Sequence, residues 1–455
     1  MIRCQKFRPS RESRQIYGFR FPAILEATER GLELMLWSFM AGDLGTGVLL
    51  AGSSPEFAEC CDTPNEAEAE RLCTQETVSE LLDQLTPMQR AAVSNAAPGA
   101  WGSDDDPSCV LYDQYSAVCF KGAVRHSSPN EQCTSRAQAL VILPACLRIG
   151  WFYFTNKHII RGVAYGPKPR QLLDIYYPKE AQTAGAYPVV VAVMGGAWTI
   201  GHRLWNVLLA ARLAEAGVLV VAVDYRNFPL ATIPDMLHDL DSGLAWVRSN
   251  VASYGGDPKR MALVGQSAGA HLSSALLLQK CRREEEALEL GAVAGMKWSP
   301  SDFKVFLGVS GVYDLPAEVA HMESRQIFPF LQHLCADGDM AAVSPTLMLQ
   351  EPALRRATSR MPPVHLMHGK ADTSVPFEIS TAFADELRKA GLENVEIKLF
   401  DGVTHSHPVV EGPLGGEDYQ ARLLLQHLGI PAPSIPARRW MPHSALSIAS
   451  RLMPF

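Results

Sequence analysis

A serine flanked by two glycines stands in the pattern Gly265-Gln-Ser267-Ala-Gly269, in the second half of this chain of 455 residues. The apolar residues 261–265 predict a short buried strand, and apolar residues at helical spacing predict a helix from Ala268. A G-x-S-x-G between strand and helix is typical of a nucleophile elbow, a tight turn whose glycines leave room for a strained serine. The pattern therefore predicts Ser267 as the nucleophile of an acyl-transfer enzyme, at a helix N-terminus that favours developing negative charge.

A serine nucleophile needs a histidine base and a carboxylate that holds this base in its useful tautomer. Asp372 and His405 each follow a predicted strand, and they occur after the serine in the order acid, then base. We therefore predict a catalytic triad of Ser267, Asp372 and His405, with His407 as the alternative base. Two further histidines beside these motifs are interpreted as structural, His368 and His271.

A pair of glycines, Gly195 and Gly196, follows another predicted strand, where many esterases carry an HGGG-type loop. Glycines there let backbone N–H groups turn toward the oxyanion of a tetrahedral intermediate, together with the N–H of Ala268. We predict these three residues as the oxyanion hole; the alternative is that the glycines only form a tight turn. Met194 stands where the HGGG loop has its histidine. Three aromatic residues are candidate walls of an apolar acyl pocket, with a place in the core as the alternative: Trp198, Trp205 and Phe228.

From Gly162 onward the hydrophobic pattern alternates between strand and helix, which is typical of a parallel sheet covered by helices. The predicted strands are 172–177, 188–193, 218–223, 261–265, 304–309, 364–367 and 395–400, and helices are predicted at 205–215, 235–251, 378–390, 417–428 and from 268. The elbow lies in the middle of this series, and the acid and the base follow later strands. The arrangement predicts an α/β-hydrolase fold over residues 161–430, with a mostly parallel central sheet flanked by helices.

Composition limits the classes of function. A formal net charge of −7 without a basic stripe argues against nucleic-acid binding, and the predicted chemistry needs no metal or organic cofactor. Eight of the ten cysteines lie within the first 146 residues, and none forms a C-x-x-C pair. This distribution argues against a zinc site or a disulfide framework and favours reduced thiols.

Two segments flank the predicted enzyme. Residues 1–136, which are acidic and rich in small residues between 52 and 109, are predicted to be an N-terminal extension that is largely a disordered linker. The arginine-rich first 20 residues fit either a transit peptide or a solvated basic tail. Residues 431–455 are predicted to be a Pro-rich C-terminal tail, extended or loosely docked.

Residues 137–160 form a hydrophobic, aromatic segment. The stretch AQALVILPACLRIGWFYFT is about as long as the shortest membrane-spanning helices, and its aromatic cluster with a basic flank is typical of a membrane interface. Arg148 and Pro144 count against a clean span. Three alternatives remain, namely a membrane anchor or re-entrant helix, an amphipathic helix on the membrane surface, and a helix docked on the enzyme. Because all predicted strands lie after Gly162, the hydrolase fold is not expected to depend on this segment.

Several blocks of the sequence resemble the prenylcysteine α-carboxyl methylesterases of plants, also called isoprenylcysteine methylesterases. They include GGAWTIGHRLWN, VDYRNFP, GQSAGAH, PPVHLMHGKADTSVP and the THSHP loop, and the resemblance covers residues 140–430. It implies a membrane-associated serine hydrolase of endoplasmic reticulum and Golgi. We predict that the catalytic domain faces the cytosol, where reduced cysteines and prenylated C-termini would both be found. The substrate so implied is the C-terminal prenylcysteine methyl ester of prenylated proteins. The residues that match the triad and oxyanion positions of this family are Ser267, Asp372, His405, Gly195, Gly196 and Ala268.

We therefore predict a serine carboxylesterase that hydrolyses a carboxyl methyl ester, with a prenylcysteine methyl ester as the expected substrate and no cofactor. One alternative is a general carboxylesterase or lipase-like hydrolase of small acyl esters. The other is a non-catalytic α/β-hydrolase that binds a small ligand, against which the complete set of Ser267, Asp372 and His405 argues.

Overall fold

The computed structural model of the chain describes residues 144–178, 186–228, 230–290, 296–325, 331–335, 338–431 and 438–442. The predicted extension over residues 1–136 and most of the predicted tail therefore lie outside the described residues, as does the beginning of the hydrophobic segment.

A mixed, mostly parallel sheet of eight strands forms the centre of the protein, with the order β1-β2-β4-β3-β5-β6-β7-β8. The strands are β1 (Ile159–Ala164), β2 (Leu172–Tyr176), β3 (Tyr187–Val193), β4 (Leu219–Val223), β5 (Gly256–Gln266), β6 (Phe303–Val309), β7 (Val364–Gly369) and β8 (Val395–Phe400). β2 is antiparallel to both β1 and β4, and the remaining pairs are parallel. This is the predicted α/β-hydrolase sheet, and its parallel strands bring their carboxyl ends to one edge.

Helices cover both faces of the sheet, which explains why β3 and β4 read as continuous buried runs of apolar residues. The α-helices are α1 (144–155), α2 (Val207–Glu215), α3 (Ile233–Asn250), α4 (Ala268–Glu289), α5 (Leu315–Ser324), α6 (Leu331–Leu334), α7 (Pro345–Met348), α8 (Pro352–Ala357), α9 (Phe377–Lys389), α10 (Glu411–Gly415) and α11 (Tyr419–His427). Short 3-10 helices lie at Arg203–Asn206, Val251–Tyr254, Pro300–Asp302, Ala341–Val343 and Thr358–Arg360. One apolar cluster packs α3, α4 and α9 on the sheet, and a second packs α1, α2 and α11 on the opposite face.

Every predicted strand is present in the sheet, but β1 was not predicted. This strand begins at Ile159, two residues before the predicted boundary of the hydrolase domain, and among the described strands it pairs with β2 alone, at the edge of the sheet. Only Ile159 is fully buried among its residues. A half-exposed edge strand interrupted by a glycine of positive φ, Gly162, lacks the long apolar run that marks the central strands.

Helix α1 is the described part of the hydrophobic, aromatic segment, and one of its faces packs on the enzyme. Ala145, Ile149 and Tyr153 are buried in the second apolar cluster. The Tyr153 hydroxyl donates a hydrogen bond of 2.6 Å to the buried carboxylate of Asp174 in β2. The structure thus differs from the expectation that the hydrolase fold is independent of this segment, because α1 supplies part of the core.

The other end of the described chain meets the same helix. The Arg148 guanidinium donates to the carbonyl oxygen of Trp440 at 3.3 Å, and the Phe152 and Trp440 rings meet edge to face at 5.3 Å. Trp440 and Met441 are buried, so this part of the predicted tail is docked. Within the residues that the structure describes, no helix has both the length and the hydropathy that a membrane span requires.

We expect the Tyr153→Phe substitution to destabilise the fold, because it removes a donor from the buried carboxylate of Asp174, which also accepts from Gly162 N and Arg203. A lost hydrogen bond to a buried charged group costs about 1–3 kcal/mol. Urea unfolding followed by circular dichroism measures this loss. The control is Tyr419→Phe, at an exposed tyrosine, which should leave the midpoint unchanged. An unchanged midpoint for Tyr153→Phe would contradict the structural role of α1.

Candidate active site

Ser267 occupies a strained turn between β5 and α4. Its backbone has φ 51° and ψ −123°, a conformation that residues other than glycine rarely adopt. A Cβ atom on Gly265 would lie 2.6 Å from the carbonyl oxygen of Gly269, and a Cβ atom on Gly269 would lie 2.3 Å from that of Val193. Both glycines of the motif are therefore required by close backbone contacts. The Ser267 N–H donates to the Val309 carbonyl in β6 at 2.8 Å, which ties the turn to the sheet.

Asp372 and His405 meet at the same edge of the sheet, in the loops after β7 and β8. Asp372 Oδ2 accepts a hydrogen bond of 2.7 Å from His405 Nδ1, while Oδ1 accepts from the backbone N–H groups of Ser374 and Val375 at 2.9 Å each. This pairing places the His405 proton on Nδ1, so that Nε2 is available to accept a proton.

The imidazole of His405 faces the elbow. Its Nε2 atom lies 3.4 Å from the side-chain amide nitrogen of Gln266, the residue before the nucleophile. In the described part of the chain, the Ser267 hydroxyl makes no hydrogen bond to His405; in esterase sites without substrate this contact is commonly long and tightens when substrate binds. The arrangement brings the predicted acid and base into contact and places the base beside the predicted nucleophile.

A second histidine holds the acid from behind. His368 is fully buried, and its Nε2 atom lies 3.0 Å from Asp372 Oδ2 and 3.0 Å from the carbonyl oxygen of Val375. Two acceptors at Nε2 require the proton there, so Nδ1 accepts from the Ser380 hydroxyl at 2.7 Å. Sequence reasoning interpreted His368 only as structural. Its position near the end of β7, four residues before Asp372, was the available signal.

The electrostatics of the acid loop keep Asp372 ionised. Burial raises the pKa of the Asp372 carboxyl, but the electrostatic interaction with His405 and the hydrogen bonds from His368 and His405 outweigh burial. The pKa of Asp372 is therefore held well below its usual range. An ionised carboxylate at this position stabilises the imidazolium that forms when His405 takes the proton of the nucleophile.

The predicted oxyanion residues adjoin the nucleophile. A Cβ atom on Gly195 would lie 2.6 Å from Ser267 Cβ, so the Gly195 backbone touches the elbow. Gly196 has φ 119°, and the next two residues, Ala197 and Trp198, also have positive φ. Ala268 is the first residue of α4 and directly follows the nucleophile, so its N–H lies at the positive end of the helix dipole. The loop conformation is strained and is held by its surroundings.

The segment after β4 braces this loop, where Met194 replaces the histidine of the HGGG pattern. The Tyr225 hydroxyl donates to the carbonyl oxygen of Met194 at 3.0 Å. The Asn227 amide donates to the carbonyl oxygen of Thr199 at 2.8 Å and to that of Gly201 at 3.1 Å. Hydrogen bonds from the side chains of Tyr225 and Asn227 to backbone carbonyls of the loop therefore hold it in place.

The candidate pocket residues lie in different places. Trp198 is buried in the core, and its Nε1 donates to His271 Nδ1 at 3.1 Å. This environment corresponds to the alternative of a place in the core, where the indole N–H finds its partner. Phe228 is half-buried against the same cluster. Trp205 lines a cavity of about 40 Å³ together with Met194 and Gln266.

Burial lowers the pKa of His271 to about 4, so the ring is neutral, with Nε2 donating to the Val343 carbonyl at 2.7 Å. Among the residues in the described ranges, no group of three or more histidine, cysteine, aspartate or glutamate side chains is arranged to hold a metal ion.

We expect His405→Ala to lower kcat for p-nitrophenyl acetate by roughly 10⁴–10⁶-fold, because triad residues act as a unit. His407→Ala should leave kcat within about twofold, since the His407 ring contacts Glu417 at 3.2 Å instead of the acid. Steady-state kinetics of the two purified variants decides between the bases. The opposite pattern would reassign the base to His407.

Comparisons with known proteins identify relatives of this chain. A family model described as BD-FAE matches residues 173–387. A probable isoprenylcysteine alpha-carbonyl methylesterase of Oryza sativa subsp. japonica is 38% identical over 330 residues, which cover 69% of this chain and 75% of the relative. The isoprenylcysteine alpha-carbonyl methylesterase of Arabidopsis thaliana is 35% identical over 328 residues, covering 70% and 75%.

Among solved structures, esterase B from Lactobacillus rhamnosis matches with a TM-score of 0.48 and 20% identity, over 66% of this chain and 97% of that one. The family assignment rests on the two sequence relatives, which are at least 35% identical over more than two thirds of this chain. The chain belongs to the isoprenylcysteine alpha-carbonyl methylesterase family and is an esterase of the α/β-hydrolase type.

Proposed function

We propose that this protein is a serine carboxylesterase that hydrolyses the C-terminal prenylcysteine methyl ester of prenylated proteins. The observation that carries the catalytic part is the 2.7 Å contact between Asp372 and His405 beside the strained Ser267 turn. The substrate comes from the family membership, because the relatives are named for their action on isoprenylcysteine methyl esters.

The proposed reaction uses only groups of this chain and water. Ser267 Oγ attacks the ester carbonyl carbon while His405 Nε2 takes its proton, and Asp372 stabilises the imidazolium. The N–H groups of Gly196 and Ala268 hold the oxyanion. His405 returns the proton to the departing methoxide, so methanol leaves. His405 then activates a water molecule that hydrolyses the acyl-enzyme to the free prenylcysteine carboxylate.

Incubation of the purified protein with N-acetyl-S-farnesylcysteine methyl ester should release methanol. Ser267→Ala should lower this rate by roughly 10⁵-fold while circular dichroism shows an unchanged fold. Turnover of N-acetyl-S-methylcysteine methyl ester, which lacks the prenyl chain, is the matched control and should be much slower.

The outcomes of this experiment separate the alternatives. Equal kcat/KM for the two methyl esters would show a general carboxylesterase. Absence of both turnover and Ser267 labelling by a fluorophosphonate probe would show a ligand-binding protein without catalysis.

We further propose that the protein works at the cytosolic face of an endoplasmic reticulum or Golgi membrane, where prenylated termini are held, and that it contacts this membrane through the outer face of α1. Leu147, Trp151 and Phe154 recur at helical spacing on this face and are 47%, 72% and 40% exposed. Arg148 and Arg438 line the adjoining open groove of about 730 Å³. Exposed aromatic and aliphatic side chains among arginines suit an anionic phospholipid surface.

A sedimentation experiment with phosphatidylserine-containing vesicles tests the membrane contact. The double substitution Leu147→Ser and Trp151→Ser should weaken binding by about tenfold or more, since it removes two apolar side chains from the interface. Leu290→Ser, at an 83% exposed leucine elsewhere on the surface, is the control and should bind like the unmodified protein. Equal binding of all three proteins, or binding by none, would overturn this proposal.

A further inference from the structure

A cluster of charged side chains outside the triad lies beside the oxyanion loop. Arg203 Nε donates to Asp174 Oδ1 at 2.9 Å, and Arg203 Nη1 donates to Asp224 Oδ2 at 3.0 Å. Arg170 Nη2 donates to the other oxygen of Asp224 at 2.6 Å. Both carboxylates are buried, and each is met by an arginine, so the cluster is balanced in charge.

Arg170 connects this cluster to the loop that contains Gly195 and Gly196. Its Nη2 atom, which binds Asp224, also donates a hydrogen bond to the carbonyl oxygen of Gly201. Arg170 has φ 64°, a left-handed backbone conformation that is uncommon for arginine. Strain of this kind persists only where the surroundings fix it. Here the hydrogen bonds to Asp224 and Gly201 supply that fixation.

Gly201 lies directly against the peptide bond between Gly195 and Gly196. A Cβ atom on Gly201 would lie 1.9 Å from the carbonyl oxygen of Gly195, and a Cβ atom on Gly196 would lie 2.3 Å from the Gly201 nitrogen. In a trans peptide the C=O and the following N–H point in opposite directions. Because the Gly195 carbonyl faces Gly201, the Gly196 N–H points away from Gly201, as an oxyanion donor in this loop must.

We propose that Arg170 is a positioning residue for the oxyanion hole. Its guanidinium, held by Asp224, fixes the Gly201 carbonyl, and the Gly201 backbone in turn fixes the direction of the peptide between Gly195 and Gly196. Loss of the guanidinium lets this peptide rotate, and the Gly196 N–H then no longer stabilises the tetrahedral intermediate. The inference rests on the esterase chemistry proposed above.

A purely structural ion pair would behave differently, and three variants separate the roles. Arg170→Met keeps the apolar stem and removes the donors. Arg248→Met is the matched control, because Arg248 forms a similar pair with Asp302 at 2.9 Å and has a comparable exposure of 37%, against 24% for Arg170. Asn227→Ala removes the second donor to the Gly201 carbonyl without changing any charge, so it tests the same contact if Arg170→Met fails to fold.

Kinetics with p-nitrophenyl acetate should show that Arg170→Met lowers kcat roughly 10–100-fold, which is part of the loss expected when an oxyanion donor is missing. The KM of this variant should stay within about twofold of that of the unmodified enzyme. Asn227→Ala should lower kcat in the same direction by a smaller factor, and Arg248→Met should leave it unchanged. These ratios to the unmodified enzyme are independent of which ester is the natural substrate.

Inhibitor binding provides the readout that a structural role would not move. A trifluoromethyl ketone forms a tetrahedral oxyanion adduct with Ser267, whereas the matching methyl ketone binds without one. In Arg170→Met the inhibition constant of the trifluoromethyl ketone should rise by about the factor lost in kcat, while that of the methyl ketone stays constant. Equal changes for both inhibitors, or a kcat that falls no further than in Arg248→Met, would overturn the proposal.

Discussion

The close approach of α4 to β3 at Gly269 is the constraint on which the site depends. A Cβ atom there would lie 2.3 Å from the Val193 carbonyl oxygen, so the helix reaches the strand only because this residue lacks a side chain. With this approach, Ser267 adopts a strained backbone conformation that costs about 1–3 kcal/mol. The same approach brings Gly195 against the Ser267 side chain. One backbone contact thus positions the nucleophile and the loop that faces it.

Sequence reasoning predicted correctly those elements of the fold that produce a regular hydrophobic pattern or a fixed order along the chain. Central strands such as β3 and β4 are buried on both faces, so they read as uninterrupted apolar runs. The loop that carries Asp372 follows β7 and the loop that carries His405 follows β8, and parallel strands deliver such loops to one edge. The edge strand β1 has no such run, and its Gly162 resembles a turn signal.

Contacts between residues distant in sequence could not be predicted in the same way. Trp198 was a candidate pocket wall, yet its partner His271 is 73 residues away and places the indole in the core. Arg170 and Asp224 are separated by 54 residues, and although Asp224 lies in the VDYRNFP block, no sequence pattern pairs it with Arg170. Helix α1 is apolar on two faces, since Ile149 is buried while Trp151 is exposed. Periodicity therefore does not indicate which face meets the enzyme.

The contact between α1 and the segment around Trp440 has a consequence for biosynthesis. Arg148 and Trp440 are 292 positions apart, and a ribosome adds about 5–20 residues per second. Helix α1 therefore emerges from the ribosome tens of seconds before the residues that cover it, and during this time Phe152 lacks its aromatic neighbour. We expect the nascent chain to depend on chaperones that hold apolar helices until translation ends. A stop codon shortly before Trp440 would leave Arg148 and Phe152 without these partners in every copy and expose the protein to degradation.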